Sequence, residues 1–232
     1  MNLNECKAII TGGSKGIGFA VAKAVGAAGG QVAITARDAS MLQGAARQIG
    51  AVAILGDVRN QEDCRRAVET AYEKLGGLNV LVNNAASGYR SPLESIEDER
   101  FLDLLNTNVL GPVRMAREAV RIFKRQEYGS IVNISSTSGL RGSENSSAYV
   151  ASKFALRGMT QCWQAELRRH NIRVILVNPS EVQTGFGSKT APSMPNPKKL
   201  LAEDIAHTVV ACLTLNDRGF VPEVTVYATN PW

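Results

Sequence analysis

Histidine and cysteine are scarce in this 232-residue chain, which contains two histidines and four cysteines. The cysteines are Cys6, Cys64, Cys162 and Cys212. They form no CxxC pair or other metal-spaced cluster, so we interpret them as buried, reduced thiols and predict no metal site. His170 and His207 lie away from every motif described below, and without a histidine beside a serine no Ser-His-Asp triad is indicated.

Long apolar runs are also missing. No segment reaches about 18 uninterrupted apolar residues, and the first residues lack the apolar core of a signal peptide. These absences predict a cytoplasmic protein that does not associate with a membrane. The net charge is +5, but lysines and arginines are scattered through helix-like segments and form no basic stripe interleaved with aromatics. No nucleic-acid partner is therefore predicted.

Apolar runs alternate with stretches of helical length along the whole chain, and hydrophobic residues make up 44% of it. This rhythm predicts repeated βαβ units. The predicted strands are Lys7 to Thr11, Gln31 to Ala36, Val52 to Asp57, Val80 to Asn83, Ser130 to Ser135, Arg173 to Asn178 and Glu223 to Tyr227. Their continuous apolar character is typical of a parallel sheet covered on both faces. We predict one α/β domain over residues 1–232, with a doubly wound sheet of about seven strands.

Helices and one unusual loop connect the predicted strands. The predicted helices are Ile17 to Ala28, Gln61 to Leu75, Phe101 to Lys124, Ala148 to His170 and Ala202 to Leu215. Residues 185–197 contain three prolines and two glycines but few core-forming side chains. Within a compact domain such a segment is typical of a lid or binding loop, so a mobile substrate loop is predicted there.

A glycine cluster separates the first strand from the first helix. Glycines permit a tight turn, and the free N–H groups at the start of a helix attract a pyrophosphate. The predicted pyrophosphate-binding residues are Gly12, Ser14, Lys15, Gly16, Ile17 and Gly18. The spacing departs from GxGxxG, and a purely structural glycine turn is the alternative.

The end of the second predicted strand carries a cation where NAD-binding proteins have a carboxylate. That carboxylate, about 20 positions after the glycines, would accept hydrogen bonds from the adenosine ribose. Here the residues are Ala36 and Arg37, and an arginine suits a 2′-phosphate through charge-assisted hydrogen bonds. Lys15 adds a second positive charge. We predict NADP(H) as the cofactor, with a merely solvated Arg37 as the alternative.

Two residues with complementary proton chemistry are spaced one helical turn apart. Tyr149 and Lys153 are at i and i+4, so a helix projects both from one face. A nearby cation favours the phenolate, so Lys153 is expected to lower the pKa of Tyr149. Ser136, at a predicted strand end, can donate a hydrogen bond to the same substrate oxygen. Carbonyl reduction needs such a proton donor, because hydride addition to carbon leaves charge on oxygen.

The glycine loop, Asn83-Asn84-Ala85-Ala86, the serine-bearing strand end and the YxxxK pair together resemble the short-chain dehydrogenase/reductase family. The resemblance spans nearly the whole chain. It is closest to a compact branch that includes 3-oxoacyl-acyl-carrier-protein reductases and NADP-dependent ketoreductases. It implies a Rossmann fold, Tyr149 as general acid or base, Lys153 as a ligand of the nicotinamide ribose and Ser136 as the residue that orients the substrate. A homo-oligomer, dimer or tetramer, is also implied.

Further site residues follow from the resemblance alone. Asn108 matches an asparagine that helps to hold a water of the proton relay, with a helix cap or kink as the alternative. The implied cofactor-binding residues beyond the glycine loop are Arg37, Asp57, Val58, Asn84, Ala85, Ala86, Tyr149, Lys153, Pro179, Ser180, Val182 and Thr184. Ala86 and Ser180 stand where the family usually has glycine. Glycine tolerates backbone conformations that Ala and Ser resist, so the local backbone geometry is an open point.

The functional prediction is an NADPH-dependent reductase that converts a keto group to a secondary alcohol, with a 3-oxoacyl thioester as the most ordinary substrate. An alcohol dehydrogenase working in the oxidative direction is an alternative, because direction follows metabolite ratios. A protein that kept the fold and binds NADP without chemistry is another. The sequence lacks the TGxxGxxG spacing of a sugar-nucleotide epimerase. Residues that flank the motifs are candidates for the substrate pocket, with surface loops as the equal alternative: Tyr89, Arg90, Leu140, Arg141 and Phe186.

Overall fold

Parallel strands form one seven-stranded sheet in the computed structural model of this chain, which describes residues 1–186 and 196–230. The strands are β1 Lys7–Thr11, β2 Gln31–Ala36, β3 Val52–Leu55, β4 Val80–Asn83, β5 Gly129–Ile134, β6 Ile172–Pro179 and β7 Glu223–Val226. Their order is β3-β2-β1-β4-β5-β6-β7, which confirms the predicted doubly wound sheet. The order reverses between β1 and β4, where such sheets leave a crevice beyond the strand ends. The predicted loop 185–197 falls largely on residues 187–195, which lie outside the described residues.

Helices cover both faces of the sheet. They are α1 Gly16–Ala27, α2 Ala39–Ile49, α3 Gln61–Leu75, α4 Asp98–Leu105, α5 Gly111–Gln126, α6 Ser147–Leu167 and α7 Ala202–Thr214. Val25 of α1 and Val209 of α7 belong to a buried cluster on one face. Val68 of α3 and Met115 of α5 belong to the cluster on the other face. Both faces of the sheet are therefore removed from water, as the continuous apolar strands predicted.

Helix α2 was missing from the sequence-based prediction. Asp38 caps its start by accepting a hydrogen bond from the Met41 N–H at 2.9 Å. Gly50 ends it in the left-handed conformation at φ 67°. Leu42 and neighbouring alanines bury one side of it. The caps were readable, but Ser40 and Gly44 within the helix weaken its helical signal.

The predicted helix from Phe101 to Lys124 is divided rather than continuous. Helices α4 and α5 are separated by a π-helical segment, Asn106–Leu110. Pro112 has no N–H to donate to the Asn108 carbonyl, as a regular helix would require. A Cβ on Gly111 would stand 2.9 Å from the Val58 side chain, so this glycine permits close packing beside β3.

A buried cation fixes the end of α7. Arg173 on β6 donates hydrogen bonds to the Leu215 and Leu213 carbonyls at 3.1 and 3.2 Å. It also donates to the Ser130 hydroxyl at 3.2 Å. These carbonyls lie at the end of α7, where helical partners run out; the Leu213 carbonyl is buried, whereas the Leu215 carbonyl also accepts from the Met1 ammonium at 3.3 Å.

The cysteines are free thiols in two different environments. Cys6, Cys64 and Cys212 are buried, whereas Cys162 on α6 is exposed, so the prediction of burial is wrong for Cys162. Burial raises the pKa of Cys6 to about 12 and that of Cys64 to about 11, which keeps both protonated. In the parts of the chain that the structure describes, no group of three or more His, Cys, Asp or Glu side chains could hold a metal ion. None of the helices described is long and apolar enough to span a membrane.

Candidate active site

A cleft of about 740 Å³ opens at the carboxyl ends of the central strands. It is lined by most of the residues predicted from sequence: Gly12, Ser14, Lys15, Gly16, Ile17, Arg37, Asp57, Val58, Asn84, Ala85, Ala86, Ser136, Tyr149, Lys153, Pro179, Ser180, Val182 and Thr184. Of the predicted site residues, Gly18 and Asn108 lie behind this lining instead of on it. The fold therefore brings residues from distant parts of the chain to one surface.

Hydrogen bonds from Asn84, in the loop after β4, fix the backbone at the start of the glycine loop. Asn84 donates through Nδ2 to the Thr11 carbonyl at 2.9 Å and to the Gly12 carbonyl at 3.2 Å. Gly12 and Gly16 have φ of 64° and 58°, which favour glycine. A Cβ on Gly18 would collide with the Asn84 side chain and the Gly12 carbonyl. Gly18 thus makes room for the protein's own asparagine and does not itself line the cleft.

The start of α1 faces the cleft without a side-chain cap. Lys15 occupies the cap position in an extended conformation, and its side chain makes no capping hydrogen bond. The first N–H groups of a helix have no intrahelical partner, and the helix dipole adds positive potential there. Together with the lysine charge, this end of the cleft is suited to an anion.

Three charged side chains line up at the end of β2 and β3. Arg37 is 60% exposed, and its Nη1 lies 3.9 Å from Oδ2 of Asp57. Arg59 Nη2 lies 2.7 Å from the same oxygen, and its Nη1 lies 2.7 Å from Asp103 of α4. Burial opposes ionisation of Asp57, but the hydrogen bonds and charge of Arg59 outweigh it and lower the pKa of Asp57. Arg59 thus holds Asp57 as a carboxylate and leaves Arg37 mostly free in solvent.

Tyr149 and Lys153 meet on α6 at the other end of the cleft. The Lys153 ammonium lies 5.6 Å from the centre of the Tyr149 ring. It donates a hydrogen bond to the Ile134 carbonyl at 3.0 Å, and the residue is only 2% exposed. Ser136 hydrogen-bonds with the Tyr149 phenol and also accepts from the Ser138 N–H at 3.1 Å. The three side chains predicted to act together are therefore adjacent.

Burial governs the proton affinities of this pair. It raises the pKa of Tyr149 to about 12, although the hydrogen bond from Ser136 and the charge of Arg90 act in the opposite direction. It lowers the pKa of Lys153 to about 8. The sequence analysis expected Lys153 to lower the pKa of Tyr149, and the structure gives the opposite net direction. The phenol is removed from water, and desolvation disfavours its charged form.

Asn108 is buried behind the cleft, within the π-helical segment. Its Oδ1 accepts from the Ser87 N–H at 2.8 Å, and its Nδ2 donates to the Ser87 carbonyl at 2.9 Å. Nδ2 also donates to the Ser152 hydroxyl at 3.1 Å. The amide is thus committed to the protein itself, and Thr107 is the neighbour that lines the cleft. Asn108 lies in the π-helical segment between α4 and α5, and both its part in a proton relay and the alternative of a cap or kink stay predictions.

The two positions where glycine is usual cause no left-handed backbone. Residues other than glycine with positive φ are Glu127, Asn145 and Asn171 among those described, so Ala86 and Ser180 adopt ordinary conformations. The Ser180 N–H donates to the Val226 carbonyl of β7 at 2.9 Å. The backbone question that these substitutions raised is therefore resolved in favour of an unstrained loop.

Several lining residues escaped the sequence analysis. They are Thr35, Asp38, Met41, Gly56, Thr107, Ile134 and Ser135. Most are immediate neighbours of predicted residues, so their positions followed from the motifs even though their side chains carry no distinctive chemistry. Met41 is different, because it reaches the cleft from α2, which was not predicted. Phe186, a candidate from its place beside the motifs, does line the cleft.

Known proteins match this chain over nearly its whole length. An uncharacterized oxidoreductase of Staphylococcus aureus is 29% identical over 227 residues, which are 97% of this chain and 97% of that protein. An alcohol dehydrogenase from the archaeon Thermococcus sibiricus, solved with 5-hydroxy-NADP, is 28% identical with a TM-score of 0.88 over 96% of each chain. A 3-ketoacyl-(acyl-carrier-protein) reductase from Brucella melitensis, solved with NADH, is 26% identical with a TM-score of 0.89, covering 97% of this chain and 98% of that one.

The family comparison covers the strands and loops that build the cleft. The sequence model of the family described as short chain dehydrogenase matches residues 7–194. That span includes the glycine loop, Ser136, the Tyr149 and Lys153 pair, and the loop to Thr184. The chain therefore belongs to the short chain dehydrogenase family.

Proposed function

We propose that this protein is an NADP(H)-dependent oxidoreductase that reduces a keto group to a secondary alcohol, with a 3-oxoacyl thioester or a related ketone as substrate. One observation carries the proposal. A half-buried phenol and a buried ammonium, Tyr149 and Lys153, lie side by side at one end of a cleft whose other end is cationic. Proton transfer and anion binding are thus combined in one site.

The residues of the cleft fit a nicotinamide dinucleotide. A Cβ on Gly16 would stand 3.2 Å from the Thr184 side chain, so glycine keeps the cleft open between the glycine loop and Thr184. The uncapped start of α1 and Lys15 would hold the pyrophosphate. Arg37 would hold the 2′-phosphate that distinguishes NADPH from NADH. Asp57, kept ionised by Arg59, would face the adenosine end.

The chain's own residues would handle the proton and the substrate oxygen. When bound, NADPH supplies the hydride that adds to the carbonyl carbon. Tyr149, protonated near neutral pH because its pKa is about 12, would donate its proton to the oxygen. Ser136 would donate a hydrogen bond to that oxygen and hold it in place. Lys153 would stabilise the phenolate left on Tyr149 through its positive charge.

In the ligand-free protein, burial keeps Tyr149 in its neutral form, which is the form that donates a proton in reduction. Oxidation of an alcohol needs a base, which here would be the phenolate, and burial disfavours that form. Reduction needs the neutral phenol, which burial favours.

A homo-oligomer, dimer or tetramer, is part of the proposal. It is supported by the family resemblance and by three exposed apolar side chains: Leu102 on α4, Leu110 in the π-helical segment and Phe154 on α6. A cytoplasmic location is part of the same proposal.

The test combines cofactor titration with a substrate screen. Purified protein is titrated with NADPH and NADH by fluorescence, and ketones and 3-oxoacyl thioesters are then screened for NADPH oxidation. Tyr149→Phe is expected to lower kcat roughly 100- to 10,000-fold, because it removes the proton donor. The matched control is Tyr72→Phe, which changes an exposed tyrosine of α3 and should leave turnover unchanged.

Two results would contradict the proposal in different ways. Equal turnover by Tyr149→Phe and wild type would remove Tyr149 as the acid. Binding of NADPH without oxidation by any carbonyl compound in the screen would instead favour a protein that binds the cofactor and lacks the chemistry.

A further inference from the structure

The segment from Gly88 to Ser91 packs near Tyr149 through the ring of Phe186 and a small apolar cluster. A Cβ on Gly88 would stand 3.3 Å from the ring of Phe186, and that ring is centred 5.9 Å from the Tyr149 ring. Tyr89 is buried in a small apolar cluster that Tyr149 also contacts. Ser91 donates its N–H to the Asn145 carbonyl at 2.9 Å. Arg90 therefore belongs to a segment that is fixed on both sides, and its positive charge acts on the Tyr149 phenol.

The two arginines nearest to Tyr89 differ in what they bind. Arg100 stacks over the Tyr89 ring at 4.2 Å and pairs with Glu97 at 3.2 Å. Arg90 is exposed, and within residues 1–186 and 196–230 it has neither a carboxylate partner nor a side-chain hydrogen bond. Its guanidinium offers five N–H donors in a planar fork that matches a carboxylate. A cation in this position is available to a ligand.

We propose that Arg90 binds a carboxylate of the carbonyl substrate, so that the protein acts on a keto acid. This inference rests on the proposed reductase function and narrows its substrate class. Arg90 would form a charge-assisted, bidentate hydrogen bond with the carboxylate and set the position of the keto group relative to Tyr149. It is a specificity residue and takes no part in proton transfer.

The charge of Arg90 also reaches the reacting group. Burial is the main cause of the raised pKa of Tyr149, and the positive charge of Arg90 partly offsets it. A substrate carboxylate paired with Arg90 would cancel that offset. Binding of a keto acid would then hold the proton on Tyr149 more firmly until hydride transfer places charge on the substrate oxygen.

The test compares keto acids with their methyl esters, which have the same carbon skeleton but no charge. The probes are acetoacetate, levulinate and pyruvate, each with its methyl ester. Wild type is expected to prefer at least one acid over its ester in kcat/KM. Arg90→Gln should reduce that acid-to-ester ratio roughly tenfold to hundredfold, because one charge-assisted contact is lost. Arg90→Lys should restore part of the ratio, since it keeps the charge but not the fork.

A binding measurement separates this inference from the proposed function. Calorimetric titration of the protein with NADP⁺ present cannot lead to reduction, because the oxidised cofactor holds no hydride. The acid should bind more tightly than its ester, and Arg90→Gln should remove the difference. The control Arg125→Gln changes an exposed arginine of α5. It should leave unchanged both the acid-to-ester ratio of kcat/KM and the difference in binding affinity between acid and ester.

An ester bound and reduced as well as its acid, or an acid-to-ester ratio that survives Arg90→Gln, would overturn the role of Arg90 while leaving the reductase function intact. Failure of all probes to bind the complex of the protein with NADP⁺ would also overturn the role of Arg90. Failure to bind NADPH or NADP⁺ at all would count against the proposed function itself.

Discussion

The two ends of the cleft place their cations in opposite environments. Lys153 is 2% exposed and hydrogen-bonded to a strand carbonyl, whereas Arg37 has 60% of its side chain exposed. Burial lowers the pKa of Lys153 to about 8, whereas the guanidinium of Arg37 stays in contact with solvent. A buried amine suits proton chemistry, and an exposed guanidinium suits recognition of a phosphate. The difference in burial therefore suits Lys153 and Arg37 to different roles, although both side chains are cationic.

A third cation shows that burial alone does not make a residue functional. Arg173 is also buried, with 7% of its surface exposed, but it donates to two carbonyls at the end of α7 and to the Ser130 hydroxyl. Lys153 has one protein acceptor among the described residues and faces the cleft. The difference lies in how completely the protein itself satisfies the donors.

The largest expected effect concerns Arg173. It tests whether this buried arginine, unlike Lys153, has a purely structural role. Arg173→Met should lower the free energy of unfolding by about 2 to 4 kcal/mol, because the buried Leu213 carbonyl and Ser130 hydroxyl lose a donor and the ion pair with Asp217 is lost. Urea unfolding monitored by circular dichroism measures this loss of stability. The NADPH affinity of the folded protein should change little. The control Arg169→Met removes an exposed arginine nearby and should cost less than about 0.5 kcal/mol. Equal losses in the two variants would remove the structural role of Arg173.

A smaller effect is expected at the exposed end of the cleft. Arg37→Ala should weaken NADPH binding about tenfold and leave NADH binding nearly unchanged, since only NADPH carries the 2′-phosphate. Solvent screens this exposed contact, which limits its size. Fluorescence titrations of both cofactors measure the effect, with Arg47→Ala on α2 as the control. An unchanged NADPH affinity in Arg37→Ala would contradict the assigned preference for NADP.

The smallest effect tests the burial of Lys153 through pH. Its pKa in the folded protein is about 8, below the unfolded value, so the native state binds fewer protons and the cost of burying the lysine is greatest below about pH 8. Lys153→Met removes that cost. The variant's gain in unfolding free energy over wild type should therefore be about 1 kcal/mol larger at about pH 7 than at about pH 9.

The comparison with wild type isolates Lys153 from other groups. The buried cysteines and Tyr149 have raised pKa values, so they lower stability at high pH in both proteins. Lys23→Met changes an exposed lysine of α1 and should show no such pH dependence. A gain for Lys153→Met that does not vary with pH would mean that this ammonium is not desolvated in the folded protein.

Most of the fold followed from the sequence because parallel strands have a strong and simple signal. Bounds of β1, β2 and β4 agree with the apolar runs that predicted them. Helix α2 and the division of the Phe101 to Lys124 stretch did not follow. Local propensity is weak in α2, and the π-helical segment depends on tertiary packing of Gly111 against Val58.

The motifs located the cleft but did not give the chemistry of every group in it. Spacing put Tyr149 and Lys153 on one face of a helix, and the structure agrees. The direction of the Tyr149 pKa shift depends on how far the fold removes the phenol from water, which no spacing encodes. Gly18 looked like a ligand contact, and its reason is the volume of the Asn84 side chain.

The amide of Asn108 connects the segment after β4 with helix α6. It makes two hydrogen bonds with Ser87 and one with Ser152, the residue before Lys153. Ser87 immediately precedes the segment that carries Arg90. A ligand that displaced the Arg90 segment would stretch these hydrogen bonds or pull on α6. The Asn108 side chain therefore couples the position of Arg90 to that of Lys153.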